Sequence, residues 1–470
     1  MIEKLLCQDS KIILDSLQLI NENGKGVVFV VNGNNELCGI LTDGDVRRSL
    51  LGGHSLQAKV RDVLHKEFVF ARASDSKEDI LGKLNDIIRI LPIVDDHMRV
   101  VDYAEFRGGF HIPVVSPDLK GNEFKYLVDA FLSTWISSKG KYIERFEKEF
   151  AAYIGTKYGV AVSNGTVALH LALLGCAVGS GDEVIVPDLT FAATINAVLH
   201  AQATPVIVDI EKQGWGIDPK EFEKAITPKT KAVIPVHLYG QPCDMQSILA
   251  IAQAKGIIVI EDAAEAHGAK FNARRVGSLG QVGCFSFFGN KIITCGEGGM
   301  CLTNDRKIYE IMLKLRDHGM SLEKKYWHDC VGYNYRMTNL QAAIGVAQLE
   351  RIEDILKERQ RVELMYRSAL AGVEGVEFQQ IGIPGKEKIT WLVSILLDAG
   401  KRDLLTARLK ERGFDVRNLF YPLSDMNIYK KYVFSSGNSK DISRRGISLP
   451  SGREVTAEMV SEIVKIIKNI

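Results

Sequence analysis

The sequence predicts an α/β protein whose larger part is built on a mostly parallel sheet and is preceded by a smaller domain with an internal repeat. Two observations lead to this prediction. From Phe146 onward, short apolar segments alternate with helical ones, and parallel strands joined by helical crossovers carry helices on both faces of their sheet. Before Phe106, a strand-centred unit occurs twice instead. The 470 residues also exceed what one hydrophobic core normally organises, so several domains are expected.

The N-terminal repeat consists of two similar strand segments, Val27–Gly33 and Arg89–Asp96. Each follows a helical pattern, at Ile12–Asn21 and at Lys77–Ile88, and each is followed by a polar turn and a second strand. This arrangement resembles a tandem CBS module, which would occupy residues 1–107.

One segment of this module resembles a nucleotide-binding motif. In Gly39–Asp45 a threonine and an aspartate follow a strand. The resemblance implies that Thr42 and Asp45 bind the ribose of a regulatory adenine or guanine nucleotide. The second copy has Val100–Glu105 at this place and lacks the Thr-x-x-Asp arrangement. Thr-Asp-Gly-Asp is equally typical of a turn that caps a helix, so both interpretations stay open.

The larger part of the chain begins after a glycine-marked junction at Phe106–Phe110, and residues 111–355 are predicted to form the main α/β domain. A long helix from Asn339 to about Lys357 then leads to a smaller α+β domain at 356–470. The alternating pattern predicts helices that end at Tyr153 or begin at Thr166 and Ala193, and strands around Val160 and at Glu183–Val186, Thr204–Val208, Lys231–Val236 and Gly256–Ile260.

The composition argues against several classes of protein. The 59 Lys and Arg residues nearly balance 58 Asp and Glu, and a net charge of +1 gives no field that favours nucleic acid or an anionic membrane. The 8 cysteines lie at neither zinc-site nor C-x-x-C spacing, which predicts free thiols with no disulfide and no structural metal. No apolar run reaches membrane-spanning length and no secretion signal follows Met1, so a cytoplasmic protein is expected.

The most informative segment is Gly283–Gly299, which places one lysine between an aromatic strand and a glycine-rich turn. Lys291 follows Phe285, Phe287 and Phe288, so its side chain is expected to be partly buried. Desolvation favours the neutral amine, which is the nucleophile that imine formation needs. A single lysine at the end of a strand is otherwise usually exposed to solvent.

Two other strand ends carry groups that suit a charged ligand. The strand near Val160 passes through Asn164-Gly165-Thr166 into a helix, whose free N–H groups and dipole attract an anion. Asp262 follows the strand Gly256–Ile260, at the sheet edge where open α/β folds bind ligands. Taken alone, both patterns are also typical of helix caps.

Together these segments resemble the sugar aminotransferases that use pyridoxal 5′-phosphate (PLP), over about residues 112–470. The resemblance implies the fold type I aminotransferase architecture, with a large domain on a mostly parallel sheet and a small α+β domain. It also implies that Lys291 bonds covalently to PLP. Gly165, Thr166 and Ser286 would contact the PLP phosphate.

The remaining site residues follow from the same resemblance. Asp262 would keep the ring nitrogen of PLP protonated, and Glu265 would lie near the ring hydroxyl, where many relatives have glutamine. Phe191 would stack on the ring, although a single phenylalanine is more often part of a core. Asn334 would reach the phosphate in the neighbouring subunit, which implies a homodimer or a higher homo-oligomer with shared active sites.

The implied reaction moves an amino group from L-glutamate to a nucleotide-linked keto sugar. Ser133–Tyr142 and Lys325–His328 resemble the branch of the family that acts on GDP-linked 4-keto-6-deoxyhexoses. Such aminosugar nucleotides would serve the synthesis of surface polysaccharides, including the lipopolysaccharide O-antigen. At Tyr421–Ser424 the chain departs from the usual Pro-Leu-His, which leaves the contacts made there to the sugar or the donor open.

Three alternatives remain beside this interpretation. The enzyme could aminate a UDP-, dTDP- or CMP-pathway keto sugar, or dehydrate a sugar nucleotide with the same cofactor, or serve only as a nucleotide-sensing regulator. The dehydrating relatives have histidine in place of the PLP-binding lysine, so Lys291 argues against dehydration. The intact set of cofactor positions argues against a regulator without catalysis.

Overall fold

The computed structural model describes residues 2–64, 67–84, 88–105 and 111–470. The chain divides into two compact units, Met1–Phe110 and His111–Ile470. The predicted junction at Phe106–Phe110 lies outside the described residues. Within the described ranges, every helix is too short or too polar to cross a membrane.

The first unit contains two copies of one three-stranded arrangement. In each copy a short strand pairs in parallel with a central strand, which pairs antiparallel with the third. The elements are β1 (Leu6–Gln8), α1 (Ile13–Asn23), β2 (Val27–Val31), β3 (Leu37–Thr42), α2 (Asp43–Leu51), β4 (Ala71–Arg72), α3 (Lys77–Gly82), β5 (Ile90–Val94) and β6 (Val100–Glu105). The third helix is shorter than the predicted Lys77–Ile88 and ends at Gly82, and residues 85–87 lie outside the described part.

Apolar strands hold the two copies together. All five residues of β2 are buried, and Phe29 from this strand shares a core with Leu37 and Val94. The ammonium of Lys25, just before β2, pairs with Glu105 at 2.7 Å and so links the first copy to the end of the second. The repeat that the sequence predicts therefore forms one small domain.

The second unit is built on a seven-stranded sheet. Its order is β7-β15-β14-β11-β10-β8-β9, and only β15 runs antiparallel to its neighbours. The strands of this part of the chain are β7 (Tyr158–Val162), β8 (Glu183–Pro187), β9 (Thr204–Val208), β10 (Thr230–Val233), β11 (Ile258–Asp262), the hairpin β12 (Lys270–Phe271) and β13 (Arg274–Arg275), β14 (Val282–Ser286) and β15 (Gly299–Thr303).

Helices cover both faces of this sheet. They are α4 (Glu123–Leu132), α5 (Lys141–Ile154), α6 (Gly165–Gly175), α7 (Ala193–His200), α8 (Pro219–Lys224), α9 (Met245–Lys255), α10 (Arg306–Arg316) and α11 (Asn339–Leu349). Because alternate residues of a strand point to opposite faces, Val160 and Val162 of β7 join one core and Ala161 joins the other. The predicted mostly parallel sheet with two covered faces is confirmed.

The predicted helix from Asn339 to Lys357 is in fact two helices. The second, α12 (Ile352–Ala369), begins after Arg351, whose backbone has the non-helical angles φ −114° and ψ 8°. The guanidinium of Arg351 donates to the carboxylate of Asp118 at 3.1 Å, a contact 233 residues away along the chain, which local patterns do not reveal. The predicted boundary after residue 355 falls inside α12.

The C-terminal part forms a small α+β domain. Its elements after α12 are β16 (Glu377–Phe378), β17 (Lys386–Glu387), β18 (Val393–Leu396), α13 (Lys401–Glu411), β19 (Arg417–Asn418), α14 (Asn438–Arg445), β20 (Gly446–Leu449) and α15 (Ala457–Lys468). Four of these strands form an antiparallel sheet in the order β16-β18-β20-β19, and β17 joins the hairpin strand β12. Helix α12 links the two cores, because Ile352 and Ile355 pack in the large domain while Val362 and Tyr366 pack in the small one.

Candidate active site

A cavity of about 640 Å³ lies where β11 and β14 end and α6 begins. This volume is within the usual range for sites that hold a small molecule or a cofactor. Residues of both the large and the small domain line the cavity: Asn164, Gly165, Thr166, Val167, Leu169, Thr190, Phe191, Ala193, Val236, Asp262, Ala264, Glu265, Ser286, Phe288, Asn290, Lys291, Glu297, Trp391, Arg417 and Phe420. The sequence-predicted residues Gly165, Thr166, Phe191, Asp262, Glu265, Ser286 and Lys291 are all among them.

The first turn of α6 borders one end of this cavity. The side chain of Asn164 caps the helix by accepting a hydrogen bond from the Val167 N–H at 3.0 Å, whereas the N–H groups of Gly165 and Thr166 have no acceptor within the helix. A Cβ atom on Gly165 would lie only 2.7 Å from the Cβ of Ser286. Glycine therefore lets the helix start and the end of β14 approach closely, so that backbone N–H groups and a hydroxyl border the same space.

Asp262 ends β11 as a buried carboxylate in the cavity wall. It accepts hydrogen bonds from the Thr194 hydroxyl at 2.9 Å and from the Ala264 N–H at 3.2 Å. Burial raises the pKa of Asp262 above its ordinary value, although these two donors act in the opposite direction. A cationic group of a ligand would offset the cost of the buried charge, which fits a protonated ring nitrogen.

The amine of Lys291 lies in the same cavity, and its side chain is only 12 % exposed. Its Nζ is 3.3 Å from Oε1 of Glu265 and 3.9 Å from the ring centroid of Trp391. The Trp391 indole N–H donates to the backbone carbonyl of Asn290 at 2.8 Å, which fixes the ring beside the lysine. The partial burial predicted for Lys291 is observed, and an acidic partner and an aromatic face hold its amine.

Glu265 is itself held by the backbone of Tyr239. The Tyr239 N–H donates to Oε2 of Glu265 at 3.0 Å, and Tyr239 has the left-handed backbone angles φ 52° and ψ 27°. Such a conformation costs about 1–3 kcal/mol outside glycine and persists where the surroundings impose it. Burial raises the pKa of Glu265, while the neighbouring Lys291 lowers it.

Aromatic side chains form one wall of the cavity. The Phe191 ring is 60 % exposed, so it does not belong to a core, and it lies 5.8 Å from the ring of Phe420. Tyr239 stacks on Trp391 and on Phe420 at 5.7 Å in each case. An exposed ring at the mouth of the cavity is available to a flat ligand, as the stacking hypothesis for Phe191 requires.

Several residues at the cavity were not predicted from the sequence. Tyr239 follows β10 at the same sheet edge as Asp262. Because open α/β sheets bind ligands at the carboxyl ends of their strands, its position in the sequence could have indicated a site residue. Trp391, Arg417 and Phe420 come from the small domain and reach the cavity only through tertiary packing. No local motif marks them.

Three predicted site residues are not among those that line this cavity. Asn334 is exposed and pairs with Asp317 through a backbone bridge. Thr42 and Asp45 form a capping box at the start of α2, in which the Asp45 N–H donates to the Thr42 hydroxyl oxygen at 3.2 Å and the Thr42 N–H donates to the Asp45 carboxylate at 2.9 Å. The Thr42 hydroxyl also donates to this carboxylate at 2.6 Å. The capping interpretation of this motif therefore describes the contacts that these two side chains make.

A comparison with known protein families matches residues 117–468 to the DegT/DnrJ/EryC1/StrS aminotransferase family. The chain belongs to this family. Its members are PLP-dependent, and the DegT-family part of the chain is a sugar aminotransferase. A second match covers residues 6–52 and identifies a CBS domain in the first unit.

Relatives of this DegT-family chain include two GDP-perosamine synthases. The enzyme of Vibrio cholerae is 45 % identical over 365 residues, which cover 76 % of this chain and 98 % of the relative. The enzyme of Escherichia coli O157:H7 is 43 % identical over 351 residues, covering 74 % and 96 %. A solved structure of a putative sugar aminotransferase from Streptococcus pneumoniae in its PLP form matches with a TM-score of 0.73 at 28 % identity, covering 77 % of this chain and 98 % of that one.

The residues of the cavity fit PLP. The start of α6 and Ser286 suit a phosphate, and the buried Asp262 suits a protonated ring nitrogen. Lys291 supplies a primary amine, which bonds reversibly to an aldehyde as an imine, and Phe191 offers a face to the ring.

Proposed function

We propose that the protein transfers the amino group of L-glutamate to the C4 keto carbon of GDP-4-keto-6-deoxymannose, giving GDP-perosamine or a related 4-amino sugar for surface polysaccharides such as the lipopolysaccharide O-antigen. The observation that carries the proposal is that the Lys291 amine, the Asp262 carboxylate and the first turn of α6 border one cavity. The choice of sugar is supported by the two GDP-perosamine synthases that are 43 % and 45 % identical to this chain.

In this proposal, different residues of the cavity bind the phosphate and the ring nitrogen of PLP. PLP, when bound, supplies an electron sink for the pair that is released when a bond to the nitrogen-bearing carbon breaks. Gly165, Thr166 and Ser286 hold the phosphate, and Asp262 keeps the ring nitrogen positively charged. The hydrogen bond from Thr194 orients the Asp262 carboxylate for this role.

Lys291 both anchors the cofactor and moves protons. With PLP bound, the free Nζ of Lys291 would take the proton from the α-carbon of L-glutamate, and in the second half-reaction it would deliver a proton to the sugar carbon that receives the amino group. Glu265, at 3.3 Å, and the ring of Trp391, at 3.9 Å, restrict where this amine can lie. The same lysine serves both half-reactions, first with L-glutamate and then with the keto sugar.

Transfer of labelled nitrogen tests this function. Purified protein loaded with PLP is incubated with ¹⁵N-labelled L-glutamate and GDP-4-keto-6-deoxymannose, and the nucleotide sugars are analysed by mass spectrometry. We expect the label in the sugar with the wild-type chain and none with Lys291→Ala. An unlabelled, dehydrated sugar would instead support the dehydration alternative, and label in other keto sugars of a panel but not in this one would reject the proposed substrate.

We also propose that two chains assemble into a homodimer with shared active sites. The single chain exposes an apolar surface on and after α4, where Phe124 is 79 % exposed, Leu132 74 % and Trp135 57 %. Contiguous exposed apolar side chains are typical of interaction sites. A second copy would cover them, and Asn334 would act in the partner's cavity.

Mixed dimers test the sharing of sites. Lys291→Ala and Asn334→Ala are each inactive in this proposal, but a mixed dimer contains one cavity with both native residues. Mixing the two variants under exchange conditions should therefore restore part of the activity. If the mixture stays inactive while native mass spectrometry detects mixed dimers, Asn334 does not serve the partner.

The first unit is proposed to bind a regulatory nucleotide, on the basis of the CBS match at residues 6–52. A ribose at Thr42 and Asp45 would have to replace the hydrogen bond of 2.6 Å between their side chains. Calorimetric titration with ATP, ADP, GTP and GDP, together with turnover in their presence, tests the proposal. Absence of binding and equal turnover would reject it.

A further inference from the structure

A buried carboxylate joins the large domain to the segment that follows β19. Asp188 comes directly after β8 and is fully buried. Its Oδ1 accepts the backbone N–H of Ser424 at 2.7 Å, and its Oδ2 accepts the hydroxyls of Ser424 at 2.7 Å and of Ser439 at 2.5 Å. The backbone carbonyl of Asp188 also accepts the N–H of Leu423 at 2.9 Å.

All three donors to this carboxylate are neutral groups. Burial raises the pKa of Asp188, and the hydrogen bonds from the two serines partly offset this effect. A buried carboxyl group is tolerated when its oxygens are satisfied by hydrogen bonds, so loss of any donor here is costly. The contact is therefore a specific connection between distant parts of the chain.

The contact between Asp188 and Ser424 joins two segments that form walls of the active-site cavity. The chain that leaves Asp188 continues to Thr190 and Phe191, and the chain that leads to Ser424 carries Arg417 and Phe420. All four of these residues line the cavity. Phe191 and Phe420 face each other with ring centroids 5.8 Å apart.

We propose that Asp188 and Ser424 are positioning residues, which fix the wall at Arg417–Phe420 against Phe191 and thereby set the affinity for the keto-sugar nucleotide. The inference rests on the proposed function for its substrate. It assigns a role to Ser424, the position at which the chain departs from Pro-Leu-His. Neither residue belongs to the lining of the cavity, so both act on it only through the neighbouring chain, and the chemistry with L-glutamate at Lys291 does not depend on them.

Ser439 provides a matched control. Its hydroxyl donates to the same Oδ2 of Asp188, and it is buried, as Ser424 is. However, it lies in α14 and not in the segment that carries the wall residues Arg417 and Phe420, and its backbone N–H is held separately by Asp209 at 3.0 Å. Ser439→Ala thus removes a similar hydrogen bond without loosening the wall.

The test compares Ser424→Ala with Ser439→Ala in the PLP-loaded full chain. Hydrogen exchange of the peptide that contains residues 417–424 should become about tenfold faster in Ser424→Ala and remain near the wild-type rate in Ser439→Ala. The KM for GDP-4-keto-6-deoxymannose should rise about tenfold in Ser424→Ala only. The half-reaction with L-glutamate, followed by the absorbance of the cofactor, should change less than about twofold in both variants.

Several results would overturn the inference. Equal exchange rates in the two variants would mean that Ser424 does not fix the wall, and faster exchange with an unchanged KM would mean that the wall does not set affinity. If Ser424→Ala does not fold, Asp188→Asn, which keeps the volume and one acceptor oxygen, is measured with the same criteria. If the wild-type chain does not aminate this sugar, the proposed function fails, whereas the exchange rates still decide whether Ser424 fixes the wall.

Discussion

Replacement of Gly165 by alanine tests the phosphate end of the cavity most sharply. The new Cβ would lie 2.7 Å from the Cβ of Ser286, 3.2 Å from its hydroxyl oxygen and 3.3 Å from its Cα. Non-bonded carbon atoms prefer about 3.5–4.0 Å, so the start of α6 and the end of β14 must separate by nearly 1 Å. That movement would pull the backbone N–H groups of α6 and the Ser286 hydroxyl apart, and they would no longer bind one phosphate together.

The expected magnitude follows from the cost of overpacking. Added methyl groups in tightly packed sites cost about 1–3 kcal/mol, and each 1.4 kcal/mol changes a dissociation constant about tenfold. The affinity of Gly165→Ala for PLP should therefore fall by about 5-fold to 150-fold. Titration of the apo-protein with PLP, followed by absorbance, measures the change. The better helix propensity of alanine, up to about 1 kcal/mol, affects folding but does not restore the phosphate contacts.

Two further variants make the test specific. Gly179→Ala is a matched control after the same helix, because its Cβ would meet only the Ala201 carbonyl oxygen at an ordinary 3.7 Å. In Gly165→Ala/Ser286→Gly the closest contact is removed, so the helix should return to its place and only the loss of the hydroxyl should remain. If Gly165→Ala binds PLP as tightly as the wild type does, the phosphate does not lie at the start of α6.

Three other substitutions give distinct outcomes. Because burial raises the pKa of Asp262, the stabilising contribution of this carboxyl group is full at low pH and is lost as the pH rises through that elevated pKa. Asp262→Asn should therefore raise the Tm of the apo-protein at neutral pH and abolish the increase in Tm that PLP causes. A lower Tm of the apo-protein would contradict this reasoning. Trp391→Leu should lower kcat/KM about tenfold by removing the ring 3.9 Å from Lys291 Nζ, whereas Trp391→Phe should keep most of the rate. Thr42→Val should destabilise the first unit by about 1 kcal/mol in urea unfolding because the capping box is lost, with turnover unchanged in the absence of nucleotides.

The part of the site that depends on strand ends could be predicted from the sequence. Gly165, Asp262 and Ser286 each lie where a local pattern changes from strand to turn or helix, and parallel strands bring such positions to one edge. The alternation of short apolar segments with helical ones predicted the parallel sheet, because parallel strands are joined by helical crossovers. Lys291 follows β14 and was identified by its aromatic and glycine neighbours.

Contacts between distant segments could not be predicted in this way. Trp391 reaches Lys291 from 100 positions further along the chain, and the break between α11 and α12 coincides with the bond from Arg351 to Asp118. The hydrogen bonds of Ser424 to Asp188 likewise join residues 236 positions apart. In each case the tertiary packing decides the position of a side chain whose local sequence is compatible with several environments.

The site of covalent PLP attachment decides whether this cavity is the active site. Borohydride reduction of the freshly purified, PLP-loaded protein fixes the cofactor irreversibly to the amine that holds it, and peptide mass spectrometry then locates the added mass. We expect the modified peptide to contain Lys291 and Lys291→Ala to yield no modified peptide. Reduced cofactor on another lysine, with Lys291 unmodified, would contradict the assignment of this cavity as the active site.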